Sequence, residues 1–360
     1  MKILILGVNG FIGSNLTHAI LSSTDWEIYG MDMASDKLGT AIHHERFHFI
    51  EGDITINKEW IAYHVKKCDV CLPLVAIATP QTYVQDPLRV FRLDFEENLA
   101  IIRQCQQYNT RVLFPSTSEV YGMCPDEDFD PQTSNLVLGP IHKERWIYSC
   151  SKQLLDRVIF GMGKHENLKF TLFRPFNFVG PGLDSIHSEK EGSSRVLTQF
   201  LGQLLRGEPI TLVDGGAQRR CFTYITDGID ALMRILENKD GVADGKIYNI
   251  GNPDNDLSIR ELAERLVTIL KEFPQAREIV SKAKLIETSS SEYYGAGYQD
   301  MNRRKPAVTN TREELGWKLT VGSDEMLRRT VSYYVHEFFT RERSVYDYHL
   351  TAAKTAAALK

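Results

Sequence analysis

MKILILGVNGFIG, residues 1–13, is an apolar run closed by three evenly spaced glycines, Gly7, Gly10 and Gly13. A secretory leader would carry a basic start and a small-residue cleavage site. Here Lys2 is the one basic residue and spaced glycines follow, so the stretch reads as a buried strand entering a tight turn. The next residues, FIGSNLTHAILSS, have helical periodicity. Glycines between a strand and a helix let the backbone turn sharply, let a pyrophosphate approach the helix N-terminal amides, and let the two elements pack closely. Glycines alone are a weak signal, because many turns need them. Asp32 strengthens it by closing the second strand about 20 residues on, where a carboxylate accepts hydrogen bonds from an adenosine ribose. Its charge repels a 2′-phosphate, which favours NAD over NADP. Asp53, ending the next strand in EGDI, is expected beside the adenine.

Outward from this start, apolar strand-like runs recur at EIYGMD, FHFIEGD, DVCLPLVA, RVLFPSTS and KFTLFRPF. Most are separated by helical segments such as NKEWIAYHVKKC and PLRVFRLDFEENLAIIRQC. That alternation predicts an α/β fold, a doubly wound parallel sheet with helices on both faces. After about residue 176 the pattern loosens into NFVGPGLDSIHSEKEGSS and later TSSSEYYGAGYQDMNRRKP, expected to be loops of a smaller C-terminal substrate lobe. The division is residues 1–176 for the nucleotide-binding domain, 177–345 mainly for the lobe with some segments returning to the first domain, and 346–360 for a tail. The terminal TAAKTAAALK reads as a frayed helix.

With 360 residues and 42% hydrophobic content the chain can fill a large core. No apolar run approaches ~18 residues, so no membrane span is expected. A net charge of −5 argues against a general nucleic-acid surface. The six cysteines follow neither disulfide nor zinc-ribbon spacing, and Cys68-x-x-Cys71 has no second pair. They read as reduced core thiols, which suits the cytoplasm, and no metal site is expected.

Tyr148 and Lys152 fall one helical turn apart in YSCSK. An ammonium beside a phenol, helped by an oxidised nicotinamide, favours the phenolate and lowers the Tyr pKa toward a value useful for a base. Tyr-x-x-x-Lys alone is common on helices. Here FPSTSEVYG precedes it and brings Thr117 to the C-terminal edge of the sheet, where open α/β folds bind ligands.

Together, Gly-x-x-Gly-x-x-Gly, STSEVYG, Tyr-x-x-x-Lys and RPFNFVGPG resemble the extended short-chain dehydrogenase/reductases acting on nucleotide sugars, the NAD-dependent epimerase/dehydratase family, over nearly the whole chain. The resemblance implies a Rossmann domain with NAD held by Gly7, Gly10, Phe11, Ile12, Gly13, Asp32, Asp53, Ile54, Tyr148 and Lys152. Within the family, DVCLPLVAIATP, RWIYSCSKQLLDRVI, GGAQRRCFT and YYGAGYQDMNRRKP resemble the decarboxylase half of the ArnA-type bifunctional polymyxin-resistance enzymes of lipid A modification. This implies oxidative decarboxylation of UDP-glucuronic acid to a UDP-4-keto-pentose with NAD reduced. The chain starts at its Rossmann strand, so formyl transfer is expected to be absent.

The residues fit that chemistry. If Tyr148 takes the C4 hydroxyl proton as hydride leaves, the sugar becomes a β-keto acid, which loses carbon dioxide readily. The protein then chiefly orients the carboxylate and stabilises an enolate. Thr117 is placed to bond the C4 oxygen. Ser118 stands where sugar 4,6-dehydratases typically carry Asp, consistent with a reaction that expels no hydroxide, and Glu119 is the expected proton-handling group. Resemblance adds Ala78, Tyr83, Thr117, Ser118, Arg145, Asn177, Arg219, Arg220 and Tyr298 as substrate contacts, the two adjacent arginines suiting a diphosphate. Arg304 belongs by composition to a solvated basic run, Arg303-Arg304-Lys305; by resemblance it sits at the sugar as proton donor. A guanidinium is a poor acid, with a pKa above ~12, so positioning the carboxylate, stabilising the enolate or orienting a water are its alternative roles.

Three other readings stay open: a UDP-xylose synthase that returns the hydride, a 4-epimerase or dehydratase, and a non-catalytic NAD-sensing protein. The family commonly dimerises through the Tyr-x-x-x-Lys helix and the one before it. The apolar faces of LDFEENLAIIRQC and SKQLLDRVIFGM lead us to expect a homodimer.

Overall fold

The computed structural model describes residues 1–187 and 194–358. Residues 188–193 of the stretch read as a lobe loop, and 359–360 of the terminal run, lie outside the described residues.

Seven strands form the central sheet: β1 (Lys2–Leu6), β2 (Glu27–Asp32), β3 (Phe47–Glu51), β4 (Val70–Pro73), β5 (Arg111–Pro115), β6 (Phe170–Pro175) and β7 (Lys246–Ile250). Their order is β7-β6-β5-β4-β1-β2-β3, and every neighbouring pair is parallel. Strand β1 shows why helices cover both faces. Ile3 and Ile5 enter one core with Leu16 and Ile20 of the helix Phe11–Ser23, whereas Leu4 and Leu6 enter the other with Ile101 and Leu155. All four strand side chains are fully buried, as period-2 alternation between two covered faces requires. The connections reverse direction between β1 and β4, leaving a crevice at their C-terminal ends. The seventh strand, KIYNI, comes from the second half of the chain and completes the sheet beside β6.

PLRVFRLDFEENLAIIRQC, whose periodicity suggested one helix, is broken. Helical turns at Pro87–Phe91 and Asn98–Tyr108 flank a wide π turn over Arg92–Glu97. At its end the Asn98 side chain inserts among the carbonyls: its Nδ2 donates to Leu93 O at 3.0 Å and Asp94 O at 3.3 Å.

In the lobe, Ile210–Val213 pairs with Leu285–Thr288. Arg219–Cys221 is flanked by Asp256–Ser258 on one side and Arg303–Arg304 on the other, with Arg304 opposite Arg220. The segment from residue 346, expected to be a tail, instead continues a helix, Val345–Ala358, whose start is docked. Val345 is fully buried, and Tyr346 and Tyr348 pack on the main core. These aromatic anchors precede the alanine-rich run whose composition suggested fraying. Among the described residues no helix is long and apolar enough to cross a membrane, and all six cysteines are free thiols.

Candidate active site

The crevice opens into a cavity of about 840 Å³ that runs from the glycine turn to the lobe. At the glycine end Gly7 has φ +88°, and a Cβ at Gly13 would lie 2.6 Å from the carbonyl oxygens of Gly7 and Val8. Only a bare backbone fits there, so the turn is a cradle of the shape a pyrophosphate needs at a helix N-terminus. Phe11 and Ile12 line the same wall. Asp32 closes β2, and its carboxylate accepts from the amides of Asn9 at 2.8 Å and Met33 at 2.7 Å. Burial nevertheless raises its pKa, outweighing those two bonds. Asp32, Asp53 and Ile54 all lie outside the cavity lining. Asp53 accepts from Thr55 N and Oγ1, both at 2.8 Å, closing its own turn, and Ile54 is buried in the second core.

At the centre Tyr148 and Lys152 project from the helix Trp146–Glu166 into the cavity. Tyr83 stacks flat on Tyr148, with ring centroids 4.7 Å apart and planes 6° off parallel, fixing the phenol's orientation. Lys152 donates to Pro115 O at 3.0 Å, tying the helix to the end of β5, and its Nζ is 6.0 Å from the Tyr148 ring centre. Burial drives the Tyr148 pKa up, with Asp94 and Glu119 adding to the rise, while Thr117 and Arg195 pull it down. Burial likewise lowers Lys152, against the attraction of Asp94 and Asp156. The fold by itself therefore keeps the phenol protonated, and further positive charge is needed to ionise it.

Thr117 begins the turn Ser118–Tyr121, its side chain accepting from Glu119 N at 3.2 Å. Behind this turn Ser116 donates to Asp156 at 2.8 Å, and Arg174 joins Asp156 at 2.9 Å, so the strand end is anchored from the buried side. The Glu119 carboxylate lies between two guanidinium groups, Arg304 at 3.3 Å and Arg145 at 3.2 Å. Arg304 is 8% exposed and lines the cavity, so it is no part of a solvated run. Strand alternation accounts for the difference. Arg303 turns outward to Asp256 and Glu127, while Arg304 turns inward.

The same alternation corrects the adjacent pair in the facing strand. Arg220 lines the cavity and binds Asp300 at 2.6 Å, but Arg219 faces away, paired with Asp256 and Glu261. Arg145, expected on the substrate acid, is 1% exposed and outside the cavity lining. It acts on Glu119 and, at 3.9 Å, Asp300. Burial alone would raise Asp300, yet Arg220, Arg304 and Arg145 hold it well below the usual carboxylate range. Tyr298 donates to Asp300 at 3.0 Å. Ala78, Asn177 and Ser118 also line the cavity, and Asn177 holds a left-handed φ of 40° while its amide donates to Cys221 O.

Sequence reading missed Lys37, Asp94, Asp300 and the Asp184–Arg195 pair. Lys37, Asp184, Arg195 and Asp300 line the cavity; Asp94, in the π turn, is completely buried, accepts from Ile77 N and attracts Lys152. Burial pushes the Asp94 carboxyl up to about 6. Charged residues in the helical pattern around 94 were the available signal; the others lie in loops without a motif.

A glycine cradle, a stacked Tyr with a Lys one turn away, and an arginine-rich far end define a dinucleotide-dependent enzyme of the sugar-modifying type. Residues 3–251 match the NAD dependent epimerase/dehydratase family, to which the chain belongs, and NAD is its cofactor. The chain is similar to the PbgP3 protein from Burkholderia pseudomallei, with 59% identity over 95% of this chain and 99% of that one, and a TM-score of 0.86. It shares its fold with a UDP-glucuronic acid 4-epimerase from Bacillus cereus, solved with UDP-glucuronic acid and NAD, at 22% identity, 93% and 99% coverage and a TM-score of 0.75. A dTDP-glucose 4,6-dehydratase from Bacillus anthracis, solved with NAD, matches at 21% identity, 93% and 96% coverage and a TM-score of 0.73.

Proposed function

We propose that this protein oxidises and decarboxylates UDP-glucuronic acid, giving a UDP-4-keto-pentose, carbon dioxide and NADH. The observation that carries the reading is Glu119 between Arg304 and Arg145, beside Thr117 and in the cavity that holds Tyr148. When bound, NAD supplies the hydride acceptor and a positive charge near the phenol. Tyr148 removes the C4 hydroxyl proton, Thr117 donates to the C4 oxygen, and Lys152 holds the ribose side. The C4 carbonyl then accepts the electrons of the breaking bond to the carboxyl carbon, and carbon dioxide leaves. Arg304 orients the carboxylate and stabilises the enolate, and the Glu119–Arg304 pair directs the proton, through Glu119 or a water, to C5. Arg220 takes the diphosphate.

The departures from related reactions support this reading. Ser118 offers no acid for a dehydratase's leaving hydroxide, and Arg304 gives a uronic carboxylate a fixed cation. The reading also includes a cytoplasmic homodimer, supported by the exposed apolar side chains Leu154 and Phe160 on the Tyr-x-x-x-Lys helix of the expected interface. Light scattering at micromolar concentration tests the dimer. Incubation with UDP-glucuronic acid and NAD, followed by absorbance of NADH, tests the activity. Stoichiometric NADH supports release of the keto sugar; carbon dioxide without net NADH marks a xylose-forming enzyme.

A further inference from the structure

The chain beyond residue 342 is built onto the loop that follows Asp32. Val345 N donates to Lys37 O at 3.0 Å, and Asp347 accepts from Thr40 N at 3.2 Å and from the Thr40 hydroxyl. Arg343 pairs with Asp36 at 2.7 Å. Gly39, with φ +50°, has no room for a side chain because Ser344 and Asp347 occupy the space. Further along the helix, His349 bonds Asn15 Oδ1 at 2.9 Å and stacks on His18 with centroids 4.7 Å apart.

Two of the loop residues held from outside, Asp36 and Lys37, are connected inward. Asp36 accepts from Asn9 Nδ2 at 2.7 Å, while Lys37 N donates to Asn9 Oδ1 at 2.8 Å. Asn9 N in turn donates to Asp32 Oδ2 at 2.8 Å. Lys37 itself lines the cavity. One hydrogen-bonded chain thus runs from the C-terminal segment through the loop to Asp32 and the glycine turn.

We infer that residues 343–349 are a working part of the dinucleotide site: they hold the Asp32–Thr40 loop in the conformation that receives the adenosine end of the cofactor. The inference rests on the reading that this end lies along Asp32 and Lys37. A loop spending only part of its time in the receptive conformation lowers apparent affinity by that fraction, so losing the clasp weakens cofactor binding without touching it. Asp347 is the key positioning residue because it bonds two groups of Thr40 and fills the space at Gly39. Among the described residues the clasp bonds the Asp32–Thr40 loop and not Arg220 or Asp300 at the lobe end, so sugar-nucleotide binding is expected to be unaffected.

The test uses the full chain and calorimetry with two probes, ADP-ribose for the adenosine end and UDP for the lobe. Asp347→Ala is expected to raise the Kd for ADP-ribose about 5- to 20-fold, consistent with loss of a charged hydrogen-bonded clasp, and to change UDP affinity less than about twofold. Asp347→Asn, which keeps an acceptor for Thr40, recovers part of the loss. Thr40→Val, which keeps the amide bond to Asp347, gives a smaller loss, and the double variant is no worse than Asp347→Ala, in which the hydroxyl contact is already broken. Unchanged ADP-ribose affinity in Asp347→Ala, or equal loss for both probes, overturns the inference. Asp32→Ala separates the two ideas. If it leaves ADP-ribose binding intact, the placement of the adenosine end fails; if it abolishes binding while Asp347→Ala does nothing, the clasp alone fails.

Discussion

The Glu119 carboxylate meets the Arg304 guanidinium at 3.3 Å although the two residues are 185 positions apart in sequence. The pair joins the turn after β5 to a strand of the lobe, so the proposed decarboxylation site draws on both halves of the chain. Arg304→Met is expected to abolish carbon dioxide release while NAD still binds. Arg304→Lys is partly active, because an ammonium cannot reproduce the planar fork. Arg303→Met, whose guanidinium faces Asp256 and Glu127, is the milder control. Carbon dioxide trapping at saturating UDP-glucuronic acid reads all three, and a wild-type rate in Arg304→Met removes this residue from the reaction.

Tyr148→Phe keeps the ring that stacks on Tyr83 and removes only the hydroxyl. Oxidation should fall roughly 10²–10⁴-fold with NAD affinity retained. Single-turnover NADH absorbance measures the first and fluorescence titration the second; near-normal oxidation would exclude Tyr148 as the base.

Glu119→Gln keeps the side chain's size and removes its charge, leaving Arg145 and Arg304 without their shared anion. Turnover is expected to be lost and substrate affinity largely preserved. A tenfold weaker UDP-glucuronic acid Kd with normal kcat would instead assign Glu119 to binding.

The glycine turn and the Tyr148–Lys152 spacing were legible from residues 1–176, because each local pattern, ambiguous alone, was narrowed by the strands and helices around it. The lobe was less so. Arg219 and Arg220 are neighbours in sequence and opposite in space, and only the strand's register tells which one reaches the cavity. Arg145 sits one residue from the catalytic helix, yet its charge is consumed by Glu119 and Asp300, two partners that sequence distance conceals. The π turn and the Asn98 amide bonded to its carbonyls lie within a good helical pattern, so periodicity indicated a straight helix.

Asp94 carries a pH signature. Its folded pKa of about 6 lies above the ordinary carboxylate value near 4, so the native state holds a proton that the unfolded chain has released between those limits. The sign is that this group favours folding at low pH and loses that contribution as pH rises through 6. The stability of wild type relative to Asp94→Asn, which cannot ionise, should therefore fall by on the order of 2 kcal/mol between pH 4 and pH 7. Urea unfolding across that range checks it, and a pH-independent difference would mean Asp94 is not the titrating group.

In the proposed reaction the uronic carboxyl carbon leaves after C4 is oxidised. UDP-glucuronic acid labelled with ¹³C at C6, incubated with the protein and NAD and followed by NMR, addresses it directly. The predicted result is loss of the C6 signal from the sugar, labelled carbon dioxide and bicarbonate in equal amount, and one NADH for each. Label retained in a hexuronic acid, with C4 inverted or unchanged, would contradict it.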